Sequence, residues 1–111
     1  MVINYVPERG DIIWISFTPQ AGKEQAGHRP AIVLSHKVYN KSIGLAILCP
    51  ITTKVKGYPF EVKVDLKETK GVILADHVKN LDWKERKATF IEKAPVNIIE
   101  EVITLINTII K

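Results

Sequence analysis

The feature that most constrains this chain is a change of period at Pro95. Ahead of it, apolar residues come in short runs separated by Gly, Pro, Asn and Ser. None of these runs has the spacing of one helical face. Beyond it, Val96, Ile99, Ile103, Ile106 and Ile110 recur at that spacing, and Ile98, Val102, Leu105 and Ile109 form a neighbouring row. Asn97, Glu101, Thr104, Thr108 and Lys111 take the opposite side. Parallel strands need long, usually helical crossovers, so five or six short strands with no helix between them imply antiparallel pairing. The expectation is a mainly β, α+β chain: a small, strongly bent antiparallel barrel with a C-terminal helix. Pro95 suits the first turn of that helix and Lys111 the negative end of its dipole. Its many isoleucines are poor helix formers, so it must be held by packing against the sheet, with apolar surface to spare for a subunit contact.

Five segments read as strands. Ile12 to Phe17 is β-branched and aromatic, with Trp14 expected in the core. A loop from Thr18 to Arg29 leads to a second strand, Ala31 to Ser35. A turn through Asn40, Lys41, Ser42 and Gly44 precedes a third, from Leu45 towards Thr53. Pro50 within that run cannot donate to a ladder and suggests a bulge or an edge. Phe60 to Val64 alternates apolar and charged residues, the mark of a half-buried strand. Gly71 opens Val72 to Ala75, a buried run that Asp76 to Lys79 continues or turns.

At 111 residues the chain is expected to form one domain, hiding roughly 65% of its extended surface. Its 46% hydrophobic and 25% charged residues are those of an ordinary globular protein. Cys49 is the single cysteine, which excludes an intrachain disulfide and a Cys-rich zinc site; its apolar neighbours predict a buried thiol. The amino terminus lacks a basic region followed by an apolar stretch, so the cytoplasm is the expected compartment. The C-terminal Ile-rich run is too short and too broken by Glu100, Glu101 and Asn107 to cross a bilayer. Residues 1–60 carry seven Lys and Arg against three Asp and Glu, whereas residues 61–111 carry nine of each sign. All of the net charge of +4 therefore lies in the first half, which favours a polyanionic partner.

That half holds Gly22 to Pro30, where Glu24, His28 and Arg29 stand between two glycines and a buried strand. A guanidinium offers a fixed fork of donors to phosphate oxygens, a carboxylate can accept a proton, and an imidazole can do either. The competing roles are a solvated loop, or a structural salt bridge from Arg29 to Glu24 or Asp76. Thr52 and Thr53 close another apolar strand and can offer a hydroxyl to phosphate. Lys54, Lys56, Tyr58 and Trp83 supply charge and stacking faces for an unpaired strand, and Asp76 is a charged residue at the end of a buried run. No close-spaced metal-ligand pair, nucleotide-binding loop or hydrolase elbow is present, so no metal or other cofactor is expected.

These residues resemble the MazF/PemK family of toxin ribonucleases. The matching pieces are Gly10-Asp11-Ile12-Ile13-Trp14, the Glu24 to Ala31 loop, Cys49 to Thr53, Lys56 to Val62, and Gly71 to Val78. The resemblance implies a barrel related to the Src-homology-three fold, paired as a homodimer. It implies sequence-specific, metal-independent cleavage of single-stranded RNA to 2′,3′-cyclic phosphate and 5′-hydroxyl ends, arresting translation and growth. Arg29 and Thr52 match the family's catalytic pair, and Glu24 a carboxylate tied to activity. His28 and Asp76 occupy positions active in some branches; with Thr53, Lys54, Lys56 and Tyr58 they are the expected substrate contacts. A cognate antitoxin with an acidic, partly disordered tail would cover the basic groove, and DNA would be reached only through that antitoxin. The alternative is a non-catalytic toxin on the same fold that acts by protein contact, as gyrase poisons do.

Overall fold

The computed structural model describes residues 5–17 and 27–111. Among them, seven strands and two helices follow in the order β1 (Asp11–Ser16), β2 (His28–Val33), α1 (Lys37–Ile43), β3 (Leu45–Thr52), β4 (Glu61–Asp65), β5 (Lys70–Leu74), β6 (Lys79–Asp82), β7 (Thr89–Lys93) and α2 (Val96–Ile110). All pairings are antiparallel, in the order β4-β5-β3-β2-β1-β7, with β6 added to β3. The result is a curled sheet with a C-terminal helix.

β3 makes the curl. One side of it pairs with β2; the other pairs with β6 through Leu45 to Leu48 and with β5 through Ile51 and Thr52. Pro50 is neither on an edge nor in a bulge. It is buried in the central strand at the break between those two partners, where a missing donor leaves no ladder bond unmade.

The period of two sorts the sheet into two cores. Ile12, Ile32, Cys49 and Ile51 belong to the core packed under Ile98, Ile99 and Val102 of α2. Ile13, Ile15, Ala31, Val33 and Leu48 belong to a second core, closed by Trp83. The two tryptophans exchange their expected roles. Trp83 is 8% exposed, and its indole N–H donates to the Asn40 carbonyl at 2.9 Å. Trp14 alternates with buried Ile13 and Ile15 on β1 and is 40% exposed.

Three further expectations are corrected. The segment after Ser35 is the helix α1, not a turn, so a helix does stand between strands. Val38 and Ile43 are exposed, so no apolar stripe announces it. A single polar residue docks it instead. Fully buried Asn40 donates from Nδ2 to the carbonyls of Pro7 (2.8 Å) and Ser35 (3.1 Å), and its Oδ1 accepts from Ser35 Oγ. β2 begins at His28, not Ala31, which moves His28 and Arg29 from a loop onto a strand. Finally, β6 and β7 bring the strands to seven. Helix α2 matches its predicted span, with Pro95 as N-cap and not in the first turn; Val96, Ile109 and Ile110 remain exposed.

Candidate active site

Ala31 lies opposite Pro50 in the β2–β3 register; Arg29 stands two residues before Ala31 on β2, and Thr52 two residues after Pro50 on β3. Both fall on the face carrying Ala31, Val33 and Leu48, at the end where the apolar cover stops and Arg29 is exposed. Arg29 lies opposite Ile15 in the β1–β2 register, and its guanidinium stands 6.0 Å from the centre of the Phe17 ring. Phe17 N–H donates to the Gly27 carbonyl at 2.9 Å. Among the described residues no carboxylate pairs with Arg29. Its charge faces outward, supported from below by an aromatic face.

The Thr52 hydroxyl accepts the Lys54 backbone N–H at 3.1 Å. An accepted bond at the oxygen leaves the O–H free to donate to an anionic oxygen. The Thr52 backbone is fixed from the opposite side by Gly71, at φ 140°. A Cβ there would overlap the Thr52 carbonyl oxygen and come within 3.0 Å of its carbon. Only glycine lets β5 approach β3 this closely.

His28 and Arg29 are consecutive on β2 and therefore leave the sheet on opposite faces. His28 stacks on Trp14, with ring centroids 5.9 Å apart, and its buried Nδ1 has no hydrogen-bond partner among the described residues. Strand alternation thus puts Arg29 and Thr52 on one face of the sheet and turns His28 to the Trp14 side. Glu24 lies outside the described residues.

After exposed Thr53, the chain carries Lys54 and Lys56 outward on a loop pinned at two points. The Glu61 carboxylate accepts the N–H groups of Lys56 (2.8 Å) and Gly57 (2.9 Å). Tyr58 Oη donates to Asp76 Oδ1 at 2.7 Å, and His77 Nε2 is 3.8 Å from the same oxygen. Ionising Tyr58 would destroy that bond, so its pKa is pushed up to about 12. Tyr58 and Asp76, expected as separate substrate contacts, are bonded to each other. Burial, and secondarily the charge of Asp76, push the Cys49 thiol up to about 12, consistent with a structural cysteine. Phe17 and Gly71 escape a sequence reading because each acts through a neighbour set by strand register, and Glu61 because it holds the N–H groups of a loop.

Comparison with known proteins agrees with this architecture. The profile of PemK-like, MazF-like toxins of type II toxin–antitoxin systems matches residues 8–110. The chain is 54% identical over 89 residues to the endoribonuclease toxin MazF of Escherichia coli K12, covering 80% of each protein. It is 30% identical over 108 residues to the Escherichia coli endoribonuclease PemK, covering 93% of this chain and 81% of that protein. The crystal structure of MazF from Deinococcus radiodurans superposes with a TM-score of 0.88 at 45% identity, covering 96% of this chain and 98% of that one. A MazE–MazF structure from the same organism gives 0.85 at 39% identity, over 96% and 97% of the two chains. With matching strands, helix and sequence along nearly its whole length, this chain belongs to the PemK-like, MazF-like family of type II toxin–antitoxin toxins.

Proposed function

We propose that this chain is an endoribonuclease toxin, held in check by a cognate antitoxin, that cuts single-stranded RNA at specific sequences without a metal. The observation that supports the reading is the placement of Arg29, at the start of β2, and Thr52, at the end of neighbouring β3, on the sheet face whose apolar cover stops there. In the proposed reaction the substrate's 2′-hydroxyl attacks the adjacent phosphorus, the 2′-O–P bond forms and the P–O5′ bond breaks. The products are a 2′,3′-cyclic phosphate and a 5′-hydroxyl, and no water is consumed. Arg29 neutralises the charge that gathers on the non-bridging oxygens, and Thr52 donates its O–H to the same oxygens. An arginine has a pKa above about 12 and is a poor base. The 2′-hydroxyl proton is assigned to Glu24, because His28 faces the other side of the sheet. The leaving 5′-oxygen takes up a proton.

The remaining parts of the proposal are a single domain, a homodimer, and an antitoxin whose acidic tail covers the Arg29, Lys54 and Lys56 surface. The MazE–MazF complexes solved for a relative support the antitoxin as a partner class. Purified protein incubated with a long single-stranded RNA in EDTA tests the reading. Discrete fragments with 5′-hydroxyl ends, absent for Arg29→Ala, are the expected result. Intact RNA across several sequences would overturn it and leave a toxin that acts by protein contact.

A further inference from the structure

A cavity of about 680 Å³ opens between the Lys54–Pro59 loop and the outer face of the β4–β5 ribbon. That volume lies in the usual range of small-ligand sites, about 300–1,000 Å³. Val55, Tyr58, Gly71 and Val72 supply mostly apolar walls, with Lys63 and Lys70 also lining it. The geometry points to a nucleobase subsite here: one base of the single-stranded RNA enters against the Tyr58 ring while its phosphate rests on Lys63. This rests on the endoribonuclease reading and adds a specificity element to it.

Three observations carry the assignment. The first is continuity with the Arg29–Thr52 centre. Val72 is the register partner of Thr52, and Gly71 packs directly against the Thr52 carbonyl. A base in the cavity therefore belongs to a nucleotide flanking the scissile phosphate.

The second is a preformed aromatic wall. Tyr58 is held by its bond to Asp76, and the loop that carries it by the bonds from Lys56 and Gly57 to Glu61. A ring fixed before binding loses little freedom when a base stacks on it, and base–aromatic stacking is a main source of single-strand affinity.

The third is charge. Both acids at the cavity are engaged: Glu61 by the loop N–H groups, and Asp65 by Lys70 at 2.8 Å. Lys63 has no hydrogen bond or ion pair among the described residues and lowers the Asp65 pKa only as a more distant charge. The cation without a local partner is thus the one available to a phosphate.

The test uses an RNA whose cleavage position has been mapped, with a 2′-deoxy nucleotide at that position to block cutting. Binding to the whole protein is followed by fluorescence anisotropy, with abasic sites introduced one at a time. One abasic position near the cut should weaken binding to wild type by about tenfold. The same substitution should have no effect on Tyr58→Leu, whose affinity is already reduced by that factor. Tyr58→Phe, which keeps the ring and loses the bond to Asp76, should retain the response to the missing base. Lys63→Ala should weaken binding at low salt and flatten its salt dependence, whereas Lys67→Ala, on the β4–β5 turn away from the cavity, should not.

Two results would overturn the subsite while leaving the nuclease intact. One is an RNA that is cut normally but shows no abasic position coupled to Tyr58. The other is a Lys63→Ala protein with wild-type affinity and salt slope. Failure of the all-ribose RNA to be cut would instead refute the underlying nuclease.

Discussion

Replacing Gly71 by alanine should damage both the sheet and the active centre, and the two effects can be separated. At φ 140° a residue with a Cβ is strained, at about 1–3 kcal/mol. The new methyl would also overlap the Thr52 carbonyl oxygen, with Thr53 Cα 3.4 Å away, so β5 must move off β3. Overpacking of this kind costs about 1–3 kcal/mol more. Together these predict a loss of about 2–6 kcal/mol, or about 8–24 °C in Tm for a chain of this size. Gly44 supplies the control. It too has a positive φ, 84°, but a Cβ there meets nothing within 4 Å, and it lies at the end of α1. Gly44→Ala should therefore show only the conformational cost, about 1–2 kcal/mol. Thermal unfolding by circular dichroism reads the stability, and RNA cleavage well below either Tm reads the site. A shift of Thr52 approaching 1 Å is expected to slow cleavage by about a hundredfold in Gly71→Ala, with Gly44→Ala unaffected. Equal Tm values for the two variants, together with wild-type cleavage by Gly71→Ala, would refute the claim that β5 positions Thr52.

Phe17→Leu removes the aromatic face beneath Arg29 and should lower cleavage about two- to fivefold, whereas Phe17→Trp should retain it; equal rates for Leu and Trp would refute a cation–π role. Cys49, with its thiol pushed up to about 12 and its side chain buried, should not react with an aromatic disulfide at pH 8 until the protein is unfolded. Tyr58 should ionise near 12 and not near the ordinary 10.0, as read by the difference in ultraviolet absorbance between wild type and Tyr58→Phe. Because the folded-state pKa is the higher one, the stability from the Tyr58–Asp76 bond is fully present below pH 10 and is lost as the pH rises through about 12. A difference spectrum that titrates near 10 would contradict the bond.

Much of this fold is legible in the sequence because burial leaves a periodic record. Ile98, Ile99 and Val102 sit on the predicted face of α2, and Val62 and Val64 alternate with exposed Lys63 and Asp65 as a half-buried strand requires. What escapes is held by something other than periodicity. α1 rests on the hydrogen bonds of Asn40, which look like a turn when read along the chain. β6 reads Lys-Asn-Leu-Asp and gains strand character only from pairing with β3. The exchange of Trp14 and Trp83 shows the same limit. Trp14 stands in an apolar run and Trp83 among charged residues, but Trp83 is buried by the second core and its bond to the Asn40 carbonyl, neither of which leaves a local pattern. At the site, Arg29 and Thr52 are conspicuous as polar residues at the ends of apolar runs. Their placement on one sheet face depends on the pairing of β2 with β3, and the separation of His28 from Arg29 depends on β2 starting two residues before Pro30.

The proposed Arg29–Thr52 centre is tested most directly by a double-mutant cycle on single-turnover RNA cleavage in EDTA. Arg29→Ala and the near-isosteric Thr52→Val are compared with wild type and with the double variant. If both side chains stabilise charge on the same phosphate oxygens, each single variant should lose about a hundredfold or more in rate. The double variant should then fall short of the product of the two losses. Wild-type rates in both single variants would contradict the centre outright.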